Sequence, residues 1–216
     1  MTKTKRTELV FICDRSGSMY GLEQDTIGGF NSMLSKQKAD SSEAFVTTVL
    51  FDNHCRTLHD RLPLHRVEPM TEADYEVGGC TALLDAVGST IHHIARIHKY
   101  AHPDHRPDKT LFVIITDGME NASRRYTYDK VKSLIKHEQE KYGWEFLFLG
   151  ANIDAAAEGA RFGIAPDRAV TYKCDEAGTQ LNYEVLSQAV TELRACGSIS
   201  ADWCAPIQSD VNKRGR

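Results

Sequence analysis

Thr110-Leu-Phe-Val-Ile-Ile-Thr116, closed by Asp117-Gly118, decides the fold. A run so nearly all apolar and β-branched has no face to give to water, so it is expected as a central strand covered on both sides, as in a parallel sheet. Working outward, Leu84, Val87, Ile91, Ile94 and Ala95 upstream keep helical spacing up to Pro103. Downstream, a helix is expected from Thr127 to Lys141, then a strand from Trp144 to Leu149. A short Ala-rich helix closed by Gly163, a strand over Ala169 to Tyr172 and a last helix follow. That last helix has Asp175 as N-cap, Gly197 as stop, and Tyr183, Leu186, Val190 and Leu193 on one stripe. Toward the amino terminus, Glu8 to Cys13 is the first strand and Leu22 to Lys36 the first helix. Ala44 to Phe51 and Cys55 to His59 read as a hairpin whose turn, Asp52-Asn53, uses residues that tolerate positive φ.

Strands alternating with helices predict an α/β fold: a Rossmann-like, doubly wound, mostly parallel sheet in the order 3-2-1-4-5-6, helices on both faces, and one antiparallel edge strand from the hairpin. Residues 1–197 are expected to form this domain. Residues 198–216 show no clear period and read as a tail, either disordered or a docking segment, with Trp203 and the final Lys213-Arg214-Gly215-Arg216 as its candidate contacts.

With 216 residues and 41% apolar content the chain can bury a core, which excludes a disordered protein. Its 26 Lys and Arg against 30 Asp and Glu leave a net charge of -4, a poor match for nucleic acid or anionic lipid. The apolar run at Leu9 to Cys13 is too short for a signal-peptide core, no stretch approaches a membrane span, and six scattered cysteines contain no C-x-x-C pair. A cytoplasmic protein with reduced thiols is expected.

The first strand ends in Asp14-Arg15-Ser16-Gly17-Ser18, the central strand in Asp117, and Thr81 begins a helix after Gly78-Gly79. If strands one and four are neighbours, these loops meet at the carboxyl edge of the sheet, where such folds place ligands. Two carboxylates and three hydroxyls, with no His or Cys, suit a hard dication: Mg²⁺ first, Mn²⁺ or Ca²⁺ next. Two negative charges only balance the ion, so the site can still receive an acidic ligand.

This combination, D-x-S-x-S after strand one, Thr81 after Gly-Gly, and T-D-G after the central strand, resembles the von Willebrand factor A domain with its metal-ion-dependent adhesion site. The likeness runs from about residue 8 to 195. It implies that Ser16, Ser18 and Thr81 ligate the metal directly, that Asp14 and Asp117 act largely through water, and that a Glu or Asp of a partner protein completes the shell. It also implies a stand-alone bacterial-type member working with larger assemblies, sometimes an AAA-type ATPase. Cys80 departs from the small residue or Thr usual there.

Gly17, Gly78, Gly79 and Gly118 read as turn formers, and Asp85 and Asn121 as surface or capping residues. His92, His93, His98, His102 and His105 read as a solvated helix face, since no H-E-x-x-H occurs. Lys130, Lys132, Lys136 and Lys141 with Glu138 and Glu140 read as charged outer surface. A non-enzymatic protein-binding module is therefore expected. The rival is a phosphatase-like phosphoryl-transfer enzyme using Asp14, but Ser16 stands where that chemistry wants a second Asp. Neither nucleotide fingerprint, G-x-x-x-x-G-K-[ST] or G-x-G-x-x-G, is present.

Overall fold

The computed structural model describes residues 6–215. β1 (Arg6–Asp14) and β4 (Lys109–Thr116) lie parallel at the centre of a six-stranded sheet of order β3-β2-β1-β4-β5-β6. The pleat sorts their apolar runs by alternate residues. Leu9, Phe11, Leu111 and Val113 enter one core, whereas Val10, Ile12, Phe112 and Ile114 enter the other. Each such side chain contributes roughly 1.5–3 kcal/mol on full burial, which fixes the register of these strands.

β2 (Glu43–Phe51), β5 (Glu145–Ala151) and β6 (Ala169–Tyr172) extend the parallel sheet, and β3 (Cys55–Pro63) closes one edge antiparallel to β2. Helices α1 (Glu23–Lys38) and α5 (Glu176–Cys196) cover one face and pack on each other. The opposite face carries α2 (Leu83–Tyr100), α3 (Tyr128–Tyr142) and α4 (Ala155–Phe162). The expected order, antiparallel edge and two-sided covering are all present. At the ends of α5, Asp175 Oδ1 accepts the N–H of Gly178 at 2.8 Å, and Gly197 turns the chain at φ +83°.

Four local expectations change. The β2–β3 turn spans residues 52–54, and neither Asp52 nor Asn53 takes a positive φ. Instead the Asp52 carboxylate accepts the N–H of His54 at 2.7 Å while the Asp52 N–H donates to the His54 carbonyl at 3.0 Å, so a side-chain and a backbone bond together close the bend. His98 is not solvated: it turns inward, its Nε2 3.2 Å from Oε2 of the fully buried Glu8, its ring edge-on to Trp144. Glu138 is not outer surface either, being 5% exposed and the third member of the inward stripe Val131, Ile135, Glu138 on α3.

The fourth concerns residues 198–214, aperiodic in sequence, which carry α6 (Ala205–Arg214) against β6 and α5. Trp203 is buried and donates Nε1–H to the carbonyl of Asp167 at 2.8 Å; Ile199, Cys204 and Ile207 are buried with it. Arg214 reaches the Asp175 carboxylate at 2.6 Å. Arg216 lies outside the described residues. All six cysteines are unpaired, and among the described residues no helix is long and apolar enough to cross a membrane.

Candidate metal centre

Because β1 and β4 are neighbours, their carboxyl ends put Asp14 and Asp117 side by side at the switch point of the sheet. Asp14 is 1% exposed and held by both oxygens. Its Oδ1 accepts the N–H of Ser16 at 2.7 Å, and its Oδ2 accepts the hydroxyl of Thr116 at 2.6 Å. Tyr75, also buried, donates its hydroxyl to the Asp14 carbonyl. The Ser16 and Ser18 hydroxyls lie 3.1 Å apart, and Ser18 Oγ donates to Asp117 Oδ1 at 2.7 Å. These serines do not cap α1, which begins at Glu23 with Leu22 before it.

Thr81 arrives from the loop before α2, and that loop is laced to the first one. Gly17 N–H donates to the Gly79 carbonyl at 3.1 Å and Gly78 N–H to the Arg15 carbonyl at 2.9 Å, while Arg15 pairs with Asp52 at 2.9 Å. Gly79 needs its lack of a Cβ: its φ is +78°, and a Cβ would strike the Asn53 side chain, whose oxygen accepts the Cys80 N–H at 2.8 Å. On the other side, Asn121 binds Thr81 twice, its Oδ1 accepting the Thr81 N–H and its own N–H donating to the Thr81 carbonyl.

A Cβ placed on Gly118 would meet Thr81 Oγ1 at 3.2 Å and Ser18 Oγ at 3.7 Å. Two hydroxyls from separate loops thus border one small space next to Asp117. Thr81 is 3% exposed, so its side chain is packed as well as polar.

Burial first, and then the charge of Asp117, raises the Asp14 carboxyl to about 6, against the lowering effect of the Thr116 and Ser16 bonds. Burial likewise raises Asp117, opposed by Ser18. Two carboxylates that repel one another in a poorly solvated place, beside three neutral oxygens, form a donor set that a hard dication relieves. Among the described residues no three His, Cys, Asp or Glu gather as a metal cage. Asp14, Ser16, Ser18, Thr81 and Asp117 fit a cation through two carboxylates and hydroxyls instead.

Several residues that shape this site carry no motif. Glu120 accepts the N–H groups of Leu84, Ala122 and Ser123, tying the loop after β4 to the start of α2. Asp85, raised by burial but lowered further by the N–H groups of Arg124, Arg125 and Tyr126, ends below its ordinary range and holds the same loop. The Cys174 thiol lies 4.0 Å from Asp117 Oδ2 and is pushed to about 11 by burial and that carboxylate. Of these only Asp85 stood out in the sequence, as a surface or capping residue near the site.

Solved structures share this architecture. A von Willebrand factor type A protein from Catenulispora acidiphila matches with 15% identity and TM-score 0.55, over 86% of this chain and 42% of that one. The fold is that of a von Willebrand factor type A domain. The VWA2 paralog of ArnB from Sulfolobus acidocaldarius matches with 18% identity and TM-score 0.52, over 84% and 44%. Proximal thread matrix protein 1 of the mussel byssus, in a form whose adhesion-site motif holds zinc, matches with 13% identity and TM-score 0.58, over 87% and 46%. This chain therefore spans less than half the length of each. No sequence-family profile and no curated protein sequence matches it.

Proposed function

We propose that this chain is a non-enzymatic protein-binding module that uses a divalent cation to grasp an Asp or Glu of a partner protein. The observation that carries the reading is the convergence of Asp14, Ser16, Ser18 and Asp117 in one hydrogen-bonded group, with Thr81 Oγ1 bordering the same space at Gly118. These five residues would hold the metal, Mg²⁺ by preference and Mn²⁺ or Ca²⁺ as alternatives. The ion supplies positive charge for a carboxylate. The chain's own groups set its strength: hydroxyls add no charge, so the cation keeps attraction for an incoming anion.

The rim suits a protein ligand. Tyr20 and Met119, next to the Ser18 and Gly118 loops, are 84% and 57% exposed, two of the four most exposed large apolar side chains. Such residues at a rim provide contact area around a charged centre. A partner within a larger assembly, such as an AAA-type ATPase, and a reducing cytoplasmic setting consistent with six unpaired thiols, complete the proposal.

The experiment is calorimetric titration of Mg²⁺ and Mn²⁺ into the chain and its Asp14→Ala variant, followed by binding of immobilised acidic peptides with Mg²⁺ or with EDTA. Saturable metal binding lost in the variant, and EDTA-sensitive peptide capture, are expected. Equal metal affinity in both proteins overturns the site. Turnover of a phosphomonoester that Asp14→Asn abolishes would make the chain an enzyme instead.

A further inference from the structure

Between α2 and α3, over the amino ends of β4 and β5, lies a cavity of about 920 Å³ open to solvent. Its position at Thr110 and Trp144 puts it at the end of those strands opposite Asp117. Arg96, Lys99, Arg106, Arg125 and Lys141 line it against two acids, Glu138 and Asp108. Lys99 and Lys141 lie over the rings of Tyr100 and Tyr142, at 5.4 and 5.1 Å, and both tyrosines stand at the pocket with 76% and 56% of their surface exposed.

At the inner wall sits Glu138, 95% buried, whose Oε2 has no hydrogen-bond partner. The contrast with Glu8 is instructive. That buried carboxylate also leaves one oxygen, Oε1, unpartnered, but its other oxygen has the Arg61 guanidinium at 2.8 Å and His98 at 3.2 Å, whereas among the described residues no ion pair or side-chain hydrogen bond reaches either oxygen of Glu138. A buried acceptor left unpaired is costly and signals a group awaiting a donor. A metal cation is a poor answer, because Arg96, Lys99, Arg106, Arg125 and Lys141 line the same cavity and would repel it.

Three chemical demands follow: negative charge for the cations, O–H or N–H donors for Glu138, and a flat ring for the tyrosines. We propose that this pocket binds a nucleoside mono- or diphosphate, with phosphate toward Arg96 and Lys141, ribose hydroxyls or base N–H groups donating to Glu138, and the base against the tyrosines. The volume lies at the upper end of ordinary small-ligand sites. Phosphate is met here by side chains, which is why no glycine-rich phosphate loop is needed. The cavity lies at the opposite end of the strands from the candidate metal site.

The test is calorimetric titration of the full chain, in EDTA, with the mono- and diphosphates of adenosine, guanosine, uridine and cytidine, and with inorganic phosphate and a single-stranded oligonucleotide. One nucleotide is expected to bind saturably at 1:1, at least about tenfold tighter than phosphate, or ~1.4 kcal/mol. Glu138→Gln and the exposed double variant Arg96→Ala/Lys141→Ala should each weaken it by about tenfold or more. Only the latter should flatten its salt dependence. Asp14→Ala should leave it unchanged. Circular dichroism of each variant checks folding. No saturable binding by any nucleotide, equal binding of phosphate alone, or affinity that climbs with oligonucleotide length would overturn the proposal.

Discussion

At the carboxyl ends of β1 and β4, two carboxylates and the Ser16 and Ser18 hydroxyls are held by short bonds to Thr116, the Ser16 amide and each other, with the Thr81 hydroxyl bordering the same space. At the amino ends of β4 and β5, five cations and four histidines line a cavity whose buried carboxylate, Glu138, has an oxygen without a hydrogen-bond partner. One region is small, acidic and tightly hydrogen-bonded; the other is roomy, basic and incomplete. Both carry exposed aromatic or apolar side chains at the mouth, Tyr20 and Met119 in the first, Tyr100 and Tyr142 in the second. The difference teaches that the same sheet can present opposite charge at its two ends, because strand ends gather loops while helix flanks gather long cationic side chains.

The largest expected effect separates the two regions outright. Asp14→Ala removes one of two carboxylates and should weaken Mg²⁺ binding by about a hundredfold, ~2.7 kcal/mol, with nucleotide affinity at the other end unaltered. Calorimetry on both ligands measures the two in one sample. A matching loss at the basic pocket would mean that the regions are coupled rather than independent.

Proton competition comes next. A carboxyl raised to about 6 in the folded chain, from an ordinary 3.8, binds its proton more tightly when folded. In EDTA the stabilisation from protonating Asp14 is therefore full below the unfolded value and is lost as pH rises through about 6. Metal binding has the reverse demand, since the ligand must be ionised. Mg²⁺ affinity should fall about tenfold between pH 7 and pH 5. Titrations across that range test it, and an unchanged affinity would remove Asp14 from the ligand set.

Thr81→Ala should weaken capture of an acidic peptide by about tenfold at saturating Mg²⁺, while Thr81→Ser restores it. Since Thr81 is buried, the methyl also packs, and a loss of about 1 kcal/mol in stability is expected in the alanine variant. Failure of serine to rescue capture would show that the methyl, not the hydroxyl, is the working part.

How much of this was legible in sequence follows from whether a feature is local. Unbroken apolar runs in β1 and β4, the Asp175 and Gly197 ends of α5 and the D-x-S-x-S loop each declare themselves within a few residues. Glu138, His98 and the segment around Trp203 do not. A charged residue on a Lys-rich helix looks solvated until α2 and Trp144 close over it, and Ile199, Trp203, Cys204 and Ile207 bury a surface without any helical period. The supports of the candidate metal site were hidden for the same reason: Tyr75 and Asn121 lie 61 and 40 residues from the groups they hold.

The smallest expected effect returns to Glu138 and bears on what kind of site the basic end is. Burial raises its carboxyl, against the opposing charges of His137, His98, Lys141 and His92. With its folded value raised, Glu138 stabilises the fold only when protonated, and that contribution is lost as pH rises through the folded value. At neutral pH the ionised group sits buried with an oxygen unpaired, so Glu138→Gln, nearly isosteric and neutral, should stabilise the unliganded chain by about 1 kcal/mol, or ~2–4 °C in melting temperature. The gain should shrink as pH falls into the ordinary carboxylate range, where the wild-type group becomes neutral as well. Stability gained while nucleotide affinity is lost is the signature of a residue kept for binding at the expense of folding. If Glu138→Gln instead lowers the melting temperature at neutral pH, the surrounding cations already satisfy the carboxylate, and the basic end is a self-contained charge cluster like the Glu8, Arg61 and His98 group beside it.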